Sequence, residues 1–459
     1  MRAKKRAARR NFNSQDKCRT QDPADQRSTV RAVAELILDG SNAELIRDPA
    51  TGRLFCLDYQ QDGCKVERRV EIQDQVSLAG INPSILRALT LPSRCGRLGS
   101  TAELFEATRE SLTSHGIPEE AALPVTYFTF STWFPECLPV APCLSIMGPR
   151  PEADLLLQLL RCIVRHPLAL REVTRGGFFS LPLHLPLTLL IMQEHMSRSL
   201  SALLCASNHP NANVPWKKGL LHIYCSKAVY RGCDSAEENY ENSTLRINLS
   251  PSRGRLPLLN AKDMQEITEE LQPRLLAYRR RNLARVRQSQ FDLPEFTSGI
   301  RILARVLGAS IVDAPELQAG LDPLLREYHE ETRAVHWLDS RCVVIEAALY
   351  HCHDGDEKKI HVGKIASTTN AILKGRGKTA QLEDKEIGGI LRALGFSPKR
   401  DKKGFAIRLD DGIRRHIHQL AARFDVAAAE EGVAMCPHCS EIVATDANEN
   451  LRGAARREQ

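Results

Sequence analysis

Residues 147–160 read MGPRPEADLLLQLL, a glycine set between an apolar run, CLSIM, and a helix-like stretch. This is the frame in which a phosphate-binding loop works. In GxxxxGK[ST], backbone N–H groups cradle the phosphates, the lysine neutralises β/γ charge and the hydroxyl ligates Mg²⁺. Counted from Gly148, the second glycine position holds Ala153, the lysine position Asp154 and the hydroxyl position Leu155. Shifting the register by one puts Ala153 at the lysine position, so neither register supplies a lysine or a hydroxyl. Asp154 brings negative charge where a triphosphate needs positive charge. Pro149 and Pro151 each remove a backbone donor. Glu152 and Asp154 already complement the helix dipole. Taken alone, the stretch reads equally as the strand–turn–helix of any α/β domain.

A second stretch, LPLTLLIMQEHMS (185–197), is an apolar strand ending in Gln193-Glu194. Asp-Glu at that place would ligate Mg²⁺ through the aspartate. Here a neutral amide stands in its position while Glu194 remains.

Further along, HVGKIASTTNAILKGRGKTAQLEDKEIGGILRALGFSPKRDKKGFAIRL (361–409) predicts a helix over Val362–Leu373 and another over Leu382–Leu394, ending at Gly395. A β-hairpin follows, from Phe396–Lys399 through RDKKG to FAIRL. Helix, helix, hairpin is a winged helix-turn-helix, whose second helix enters the DNA major groove while the wing touches backbone. Lys358–Gly404 holds 12 Lys/Arg and 4 Asp/Glu, a net of +8 against +7 for the whole chain. The candidate DNA-binding residues are Lys374, Arg376, Lys378, Lys385, Arg392, Lys399, Arg400, Lys402 and Lys403. A protein-contact surface or a solvated basic face is the alternative. Cys436 and Cys439, in CPHC, form a single Cys-X-X-Cys, and a structural zinc site needs about four ligands. HCHD (351–354) and His361 complete it only if the fold brings them there; free thiols are the competing reading. Arg279–Arg281 lie in a long helical stretch with Arg274, Arg285 and Arg287, read as a solvated basic face or as a DNA-contacting helix. His184 and His195 read as structural, and no Ser-His-Asp or Cys-His catalytic signature is present.

The elements that must hold these residues follow from pattern and length. A chain of 459 residues suits about two or three domains. Hydrophobic content of 42% supports real cores. No window approaches the ~20 apolar residues of a membrane span; the longest apolar stretch, near Leu181–Met192, is broken by Pro182, His184, Pro186 and Thr188. MRAKKRAARR has no apolar stretch behind it and is not a secretory signal. Cys143, Cys162, Cys205, Cys225 and Cys342 sit singly in apolar segments, as reduced buried thiols do in a cytoplasmic protein.

The domains expected are a disordered basic arm (1–25), a small α+β module (26–97), a P-loop-like core (98–257), a helical segment (258–354), a winged helix-turn-helix (355–424) and a mostly disordered tail (425–459). Ser28–Leu38 predicts a helix; AELIRD, GRLFCLDY and KVERRVEI predict short strands. Ser100 or Thr101 caps a helix over Thr101–Ser114. VTYFTFSTWF fits either a strand or a buried helix. CLSIM and TLLIM are buried-type strands around a helix at Glu152–Arg165, and ALLCASN and LLHIYCSKAVY are further strand candidates. Strands alternating with helices imply an α/β fold with a parallel sheet covered on both faces.

The order of these segments resembles the helicase-type P-loop ATPase module of bacterial phage, plasmid and mobile-element proteins, often carried as a conserved domain of unknown function. The resemblance starts near LGSTAELFEATRESL (98–112). It runs through CLSIMGPRPEADLLLQLLRCIVRHPLALREVT, where the family has an intact GKT, and through PLTLLIMQE. LLCASNHP (203–210) and GLLHIYCSKAVY (219–230) resemble its sensor strand and the next core strand. At NSTLRINLSP (242–251) the family carries an Asp-Arg-Ser triplet; here Asn242, Ser243 and Thr244 stand there, with no arginine. A winged segment closes the family as well, so the resemblance covers roughly residues 98–420. An arginine finger is worth roughly 10³–10⁵ in rate for GTPases, and this chain lacks it together with the lysine, the hydroxyl and the aspartate. The resemblance therefore implies a P-loop NTPase-like core followed by a helical segment and a winged helix, in a catalytically inactive helicase-like protein. That protein would bind DNA at a mobile-element or replication locus. It has no catalytic residues and no cofactor, its partner is DNA with a homo-oligomer or a replication protein left open, and its location is cytoplasmic. The other readings are an active ATPase that builds an unusual site around Glu194, and a winged-helix regulator or scaffold.

Overall fold

The computed structural model describes residues 43–59, 67–72, 81–217, 219–232, 243–252, 254–296, 298–353, 358–379, 381–402, 404–424 and 426. The basic arm, the helix expected at Ser28–Leu38, Asn242, Lys403 and the Cys436/Cys439 pair lie outside the described residues. The chain divides into two compact units, Met1–Ala88 and Leu89–Gln459.

In the first unit, β1 (Ala43–Arg47), β2 (Leu54–Tyr59) and β3 (Glu67–Ile72) form an antiparallel sheet in that order. Helix α1 (Pro83–Ala88) follows, and the Arg47 guanidinium donates to Leu86 O at 2.6 Å. Residues 89–97 belong to the second unit, where the Gly96 N–H donates to Pro273 O at 2.8 Å.

The second unit opens with α2 (Thr101–Ser114), started by a capping box between Ser100 and Glu103. VTYFTFSTWF is helical, within and just beyond α3 (Glu119–Ser131). Its hydroxyls explain why a β-branched, aromatic run tolerates a helix: Thr126 and Thr129 donate to the carbonyls of Ala122 and Val125, one turn back, at 2.8 and 2.9 Å. The parallel core follows as β4 (Cys143–Met147), α4 (Arg150–Ile163), β5 (Pro167–Leu170), the short α5 (Arg175–Phe178) and β6 (Thr188–Met192). ALLCASN, expected as a strand, is instead the end of α6 (Arg198–Ala206) and the turn after it. The Ser197 hydroxyl accepts from Leu200 N there, and Leu200, Leu203 and Leu204 bury one helical face. LLHIYCSKAVY is likewise not one strand. A hairpin of β7 (Asn213–Trp216) and β8 (Gly219–His222) precedes β9 (Ser226–Tyr230), and β10 (Leu245–Asn248) closes the core.

The five parallel strands lie in the order β10-β4-β9-β6-β5. Numbered by appearance in this sheet the order is 5-1-4-3-2, consistent with a P-loop NTPase-like core. All of β6 and β9 is buried, as a sheet covered on both faces requires. The first strand, β4, sits between the last two. Its outgoing connection leads to the far edge at β5, whereas that of its neighbour β9 leads back to β10. Ligands of open α/β sheets bind at such a switch, beyond the carboxyl ends of the strands.

Helix α7 (Ala261–Gln288) runs unbroken through Pro273. Its Arg279 is not on a solvated face: it is 2% exposed and its guanidinium pairs with Glu136. Next come α8 (Ser298–Ala309), then α9 (Pro315–Ala319) and α10 (Leu321–His336), separated at Gly320. The remaining elements are α11 (Ser340–His353), β11 (Lys359–His361), α12 (Val362–Gly375), α13 (Asp384–Ala393), β12 (Lys399–Asp401), β13 (Gly404–Arg408) and α14 (Asp411–Arg423). The three strands pair antiparallel in the order β11-β13-β12, around a core that includes Ile345, Ile360, Ile365, Ile387, Leu391, Phe396 and Ile407. Among the described residues, no helix is long and apolar enough to cross a membrane.

Candidate functional site

Just beyond the carboxyl ends of β4, β9 and β6 stand Gly148, Arg231 and Glu194, and Arg150 opens the helix that leaves β4. The chain leaves β4 at Met147, turns over Gly148 and Pro149, and is already helical at Arg150. A cradle of the GxxxxGK kind needs its intervening residues in a loop. Here Arg150–Ala153 are the first turn of α4, and Ala153 is fully buried beneath it. Few first-turn donors remain for an anion. Pro149 and Pro151 have no N–H, and the Ala153 N–H is spent on Pro149 O at 3.2 Å.

The turn is held by its neighbours. Gly148 has φ +121°, and a Cβ there would come within 2.3 Å of Leu249 O in the chain just past β10. The Tyr230 hydroxyl, at the end of β9, donates to Gly148 O at 3.1 Å. Gly148→Ala is therefore expected to destabilise the second unit by roughly 2–5 kcal/mol, from positive-φ strain and backbone overlap together. Urea unfolding checks this; a loss under about 1 kcal/mol would mean that the turn relaxes freely.

The charges at this edge neutralise one another. Arg150 Nη1 lies 3.5 Å from Glu194 Oε1, linking the start of α4 to the end of β6. Asp154 is turned away, its carboxylate 2.8 Å from Arg171 Nη1 and accepting from Gln158 at 2.9 Å. Both ends of the Gln193 amide are engaged: Oε1 accepts from Val173 N at 2.8 Å and Nε2 donates to His195 O at 3.0 Å. Gln193 thus fastens the β5–α5 connection to the end of β6. Glu152 accepts from Ser252 N at 2.7 Å, and with Leu155 it lines a cavity of about 220 Å³ beside residues 249–252.

Of the residues named from the motif, Gly148 follows β4 and Glu194 follows β6, with β9 between the two strands. Ala153, Asp154 and Leu155 lie along α4, and Gln193 serves the backbone. Arg231 escaped the motif reading. It directly follows β9, is 5% exposed, and donates to Ser201 Oγ at 3.2 Å. Its only sequence signal was an arginine immediately after the buried-type run SKAVY. Ser243 and Thr244 are buried, with Thr244 O accepting from Tyr328 Oη at 2.9 Å.

The basic module sorts its cations into two sets. Lys374, Lys385, Arg392, Lys399, Arg400 and Lys402 are exposed. Lys385 and Arg392 lie on α13, with Lys399, Arg400 and Lys402 on the hairpin. Arg376 does not belong with them. Its side chain is 11% exposed, bridges both Glu346 oxygens at 2.7 and 2.8 Å, and stacks 3.8 Å over the Trp337 ring. Lys378 Nζ donates to Leu338 O at 3.3 Å. These two cations anchor the α12–α13 connection to residues 337–346, leaving fewer positive groups for a partner than the sequence count implies.

The described histidines of HCHD and His361 have separate partners. His351 faces Thr368 Oγ1 at 2.9 Å, His361 lies 3.7 Å from Asp401, and His353 meets His418.

No family model matches the chain, and no curated protein matches it. Among solved structures it is similar to the NrS-1 C-terminal region, at 11% identity over 83% of this chain and 100% of that one, with a TM-score of 0.31. It is also similar to Drosophila ORC bound to DNA, at 12% identity over 72% and 95%, with a TM-score of 0.20. A third is Cdc6p from Pyrobaculum aerophilum, at 10% identity over 76% and 99%, with a TM-score of 0.15. TM-scores this low leave the function to be argued from the residues themselves.

Proposed function

We propose that this chain is a catalytically inactive helicase/ATPase-like protein of a mobile-element or replication locus, binding duplex DNA through a winged helix. One observation carries the loss of catalysis: α4 begins two residues after β4, with Arg150 at its first position facing Glu194. Helical residues stand where a phosphate cradle would be, the local cation is neutralised by the retained glutamate, and the amide replacing the metal-binding aspartate is committed to backbone.

DNA binding is supported by the element order α11-β11-α12-α13-β12-β13, that of a winged helix, with exposed cations on α13 and the hairpin. In this reading α13 enters the major groove, and Lys399, Arg400 and Lys402 on the wing contact phosphates. A phosphate-dominated surface gives affinity that falls steeply with salt and depends weakly on sequence.

Calorimetry of the full chain with ATP-Mg is expected to give no saturable heat, while the same preparation binds duplex DNA in a salt-dependent way. Saturable, Mg²⁺-dependent ATP binding in the micromolar range would overturn the inactive reading and favour an ATPase built around Glu194.

A further inference from the structure

Phe405 is an apolar ring left on a cationic hairpin. It is the second residue of β13, beside the turn that joins β12 to β13, and it is 47% exposed. Strand alternation explains the exposure. Ile407, two residues on and therefore on the same face, is 3% exposed and belongs to the core of the basic module. Phe405 continues that face past the point where the core ends. The turn beside it stands in open space: Gly404 has φ +120°, and a Cβ there would meet nothing within 4 Å.

The ring is set among cations. Arg400 lies directly opposite Phe405 in the antiparallel register, so guanidinium and ring share one face of the hairpin. Lys399 precedes Arg400, Lys402 opens the turn, and all three side chains are exposed. The acid between them, Asp401, is taken by Lys359 Nζ at 2.6 Å. Among the described residues, no carboxylate pairs with Lys399, Arg400 or Lys402. Other rings of the module are engaged: Phe396 meets His416 at 5.1 Å, and Trp337 lies under Arg376. Among the described residues, no ring or cation is stacked on Phe405.

A flat apolar face beside three such cations fits a nucleobase, whose flanking phosphates meet the cations as its own face meets the ring. A plain polyanion would use the cations and not the ring; an apolar protein surface would use the ring and strand the cations. Bases inside a duplex are already stacked on both faces, and opening one to a side chain costs unstacking energy. An open base face is found without that cost where pairing stops. We propose that Phe405 stacks on an unpaired base while Lys399, Arg400 and Lys402 hold the phosphates beside it. The hairpin thereby selects junctions between duplex and single-stranded DNA over uninterrupted duplex. This rests on the reading of the hairpin as a DNA-contacting wing, and adds the DNA structure that the wing prefers.

Fluorescence anisotropy of the full chain tests the preference with two labelled DNAs: a duplex carrying a short internal single-stranded gap, and the same duplex fully paired. Their ends are identical, so stacking on ends cancels. The gapped DNA is expected to bind at least about fivefold more tightly, the lower end of what one base stacked on an aromatic side chain contributes. Phe405→Ala and Phe405→Leu should both abolish the preference and leave affinity for the paired duplex unchanged, while Phe405→Trp keeps it. Leucine retains apolar bulk without a flat face, so its loss of preference belongs to stacking. Equal binding of the two DNAs by the wild-type chain overturns the proposal. So does a preference that survives in the leucine variant, or an equal loss of affinity for both DNAs in it; each of these leaves the wing reading standing. Binding to neither DNA removes the wing reading and the proposal with it. If circular dichroism shows the alanine variant unfolded, the leucine variant decides.

Discussion

Glu136→Ala is expected to cost about 3–5 kcal/mol of stability, the loss typical when one partner of a buried ion network is removed. Glu136 sits in the short turn Pro135–Cys137 that follows α3. Its carboxylate accepts from Arg165 Nη1 at 3.0 Å, at the end of the α4–β5 connection, and from the Arg279 guanidinium on α7. The Arg165 and Arg279 side chains are each 3% exposed. Without Glu136, two guanidiniums stay buried with no carboxylate between them. Urea unfolding followed by tryptophan fluorescence measures the loss, because Trp133 is 1% exposed and its carbonyl accepts from Arg279. The solvent-exposed pair Lys262–Glu266 is the control: Lys262→Ala should change stability by less than about 0.5 kcal/mol.

The same carboxylate sets a pH dependence. Burial alone would raise its pKa; the charges of Arg279 and then Arg165 overcome this and hold it below the ordinary value of 4.5. A depressed carboxylate contributes its stability in full above the unfolded-state pKa and loses it as pH falls through the folded one. Asp292, whose desolvation is outweighed by bidentate contacts with Arg301 and Arg305, is shifted in the same direction. Acid unfolding should therefore set in below pH ~4.5. The stability gap between wild type and Glu136→Gln should narrow over that window.

Reversing Lys399, Arg400 and Lys402 to glutamate is expected to weaken duplex binding by at least about 100-fold at low salt. If each contacts one phosphate, the slope of log K against log salt becomes shallower by about 3. The fold should tolerate the change. The three side chains are exposed, β12 is an edge strand of its sheet, and the core beneath it is made by other residues. Arg376→Glu separates charge from structure. That guanidinium is committed to Glu346 and Trp337, so its reversal should lower stability and leave the salt slope of the folded fraction unchanged. Unaltered duplex binding in the triple variant, measured by fluorescence anisotropy, would sink the wing as the contact surface.

The core strands CLSIM and TLLIM were readable because strands buried on both faces are short, continuous apolar runs. The helix after Gly148 was readable from its periodic leucines. ALLCASN misled because a short apolar run fits strand and helix alike, and the Ser197 cap that decides it lies outside the run. VTYFTFSTWF was undecidable from period alone; its hydroxyls find carbonyls one turn back only once the helix exists. Arg279 read as one more cation in a basic helix. Its partner lies 143 residues away, on a turn whose position depends on where α3 and α7 pack.

By itself the sequence determined which residue types stand at the motif's spacing: Ala153, Asp154 and Leu155 after Gly148, and Gln193 beside Glu194. It also determined where charge accumulates, in residues 358–404. These are properties of residue type at a given spacing, and folding does not alter them. Only the tertiary structure decided that the loop at Gly148 is two residues long and closed by Leu249, that Arg150 answers Glu194, and that Arg376 is withdrawn from the basic surface. It alone brought His353 to His418. Each of these pairings joins segments distant in the chain, and strand order and helix packing select them through burial and sterics that no local pattern records.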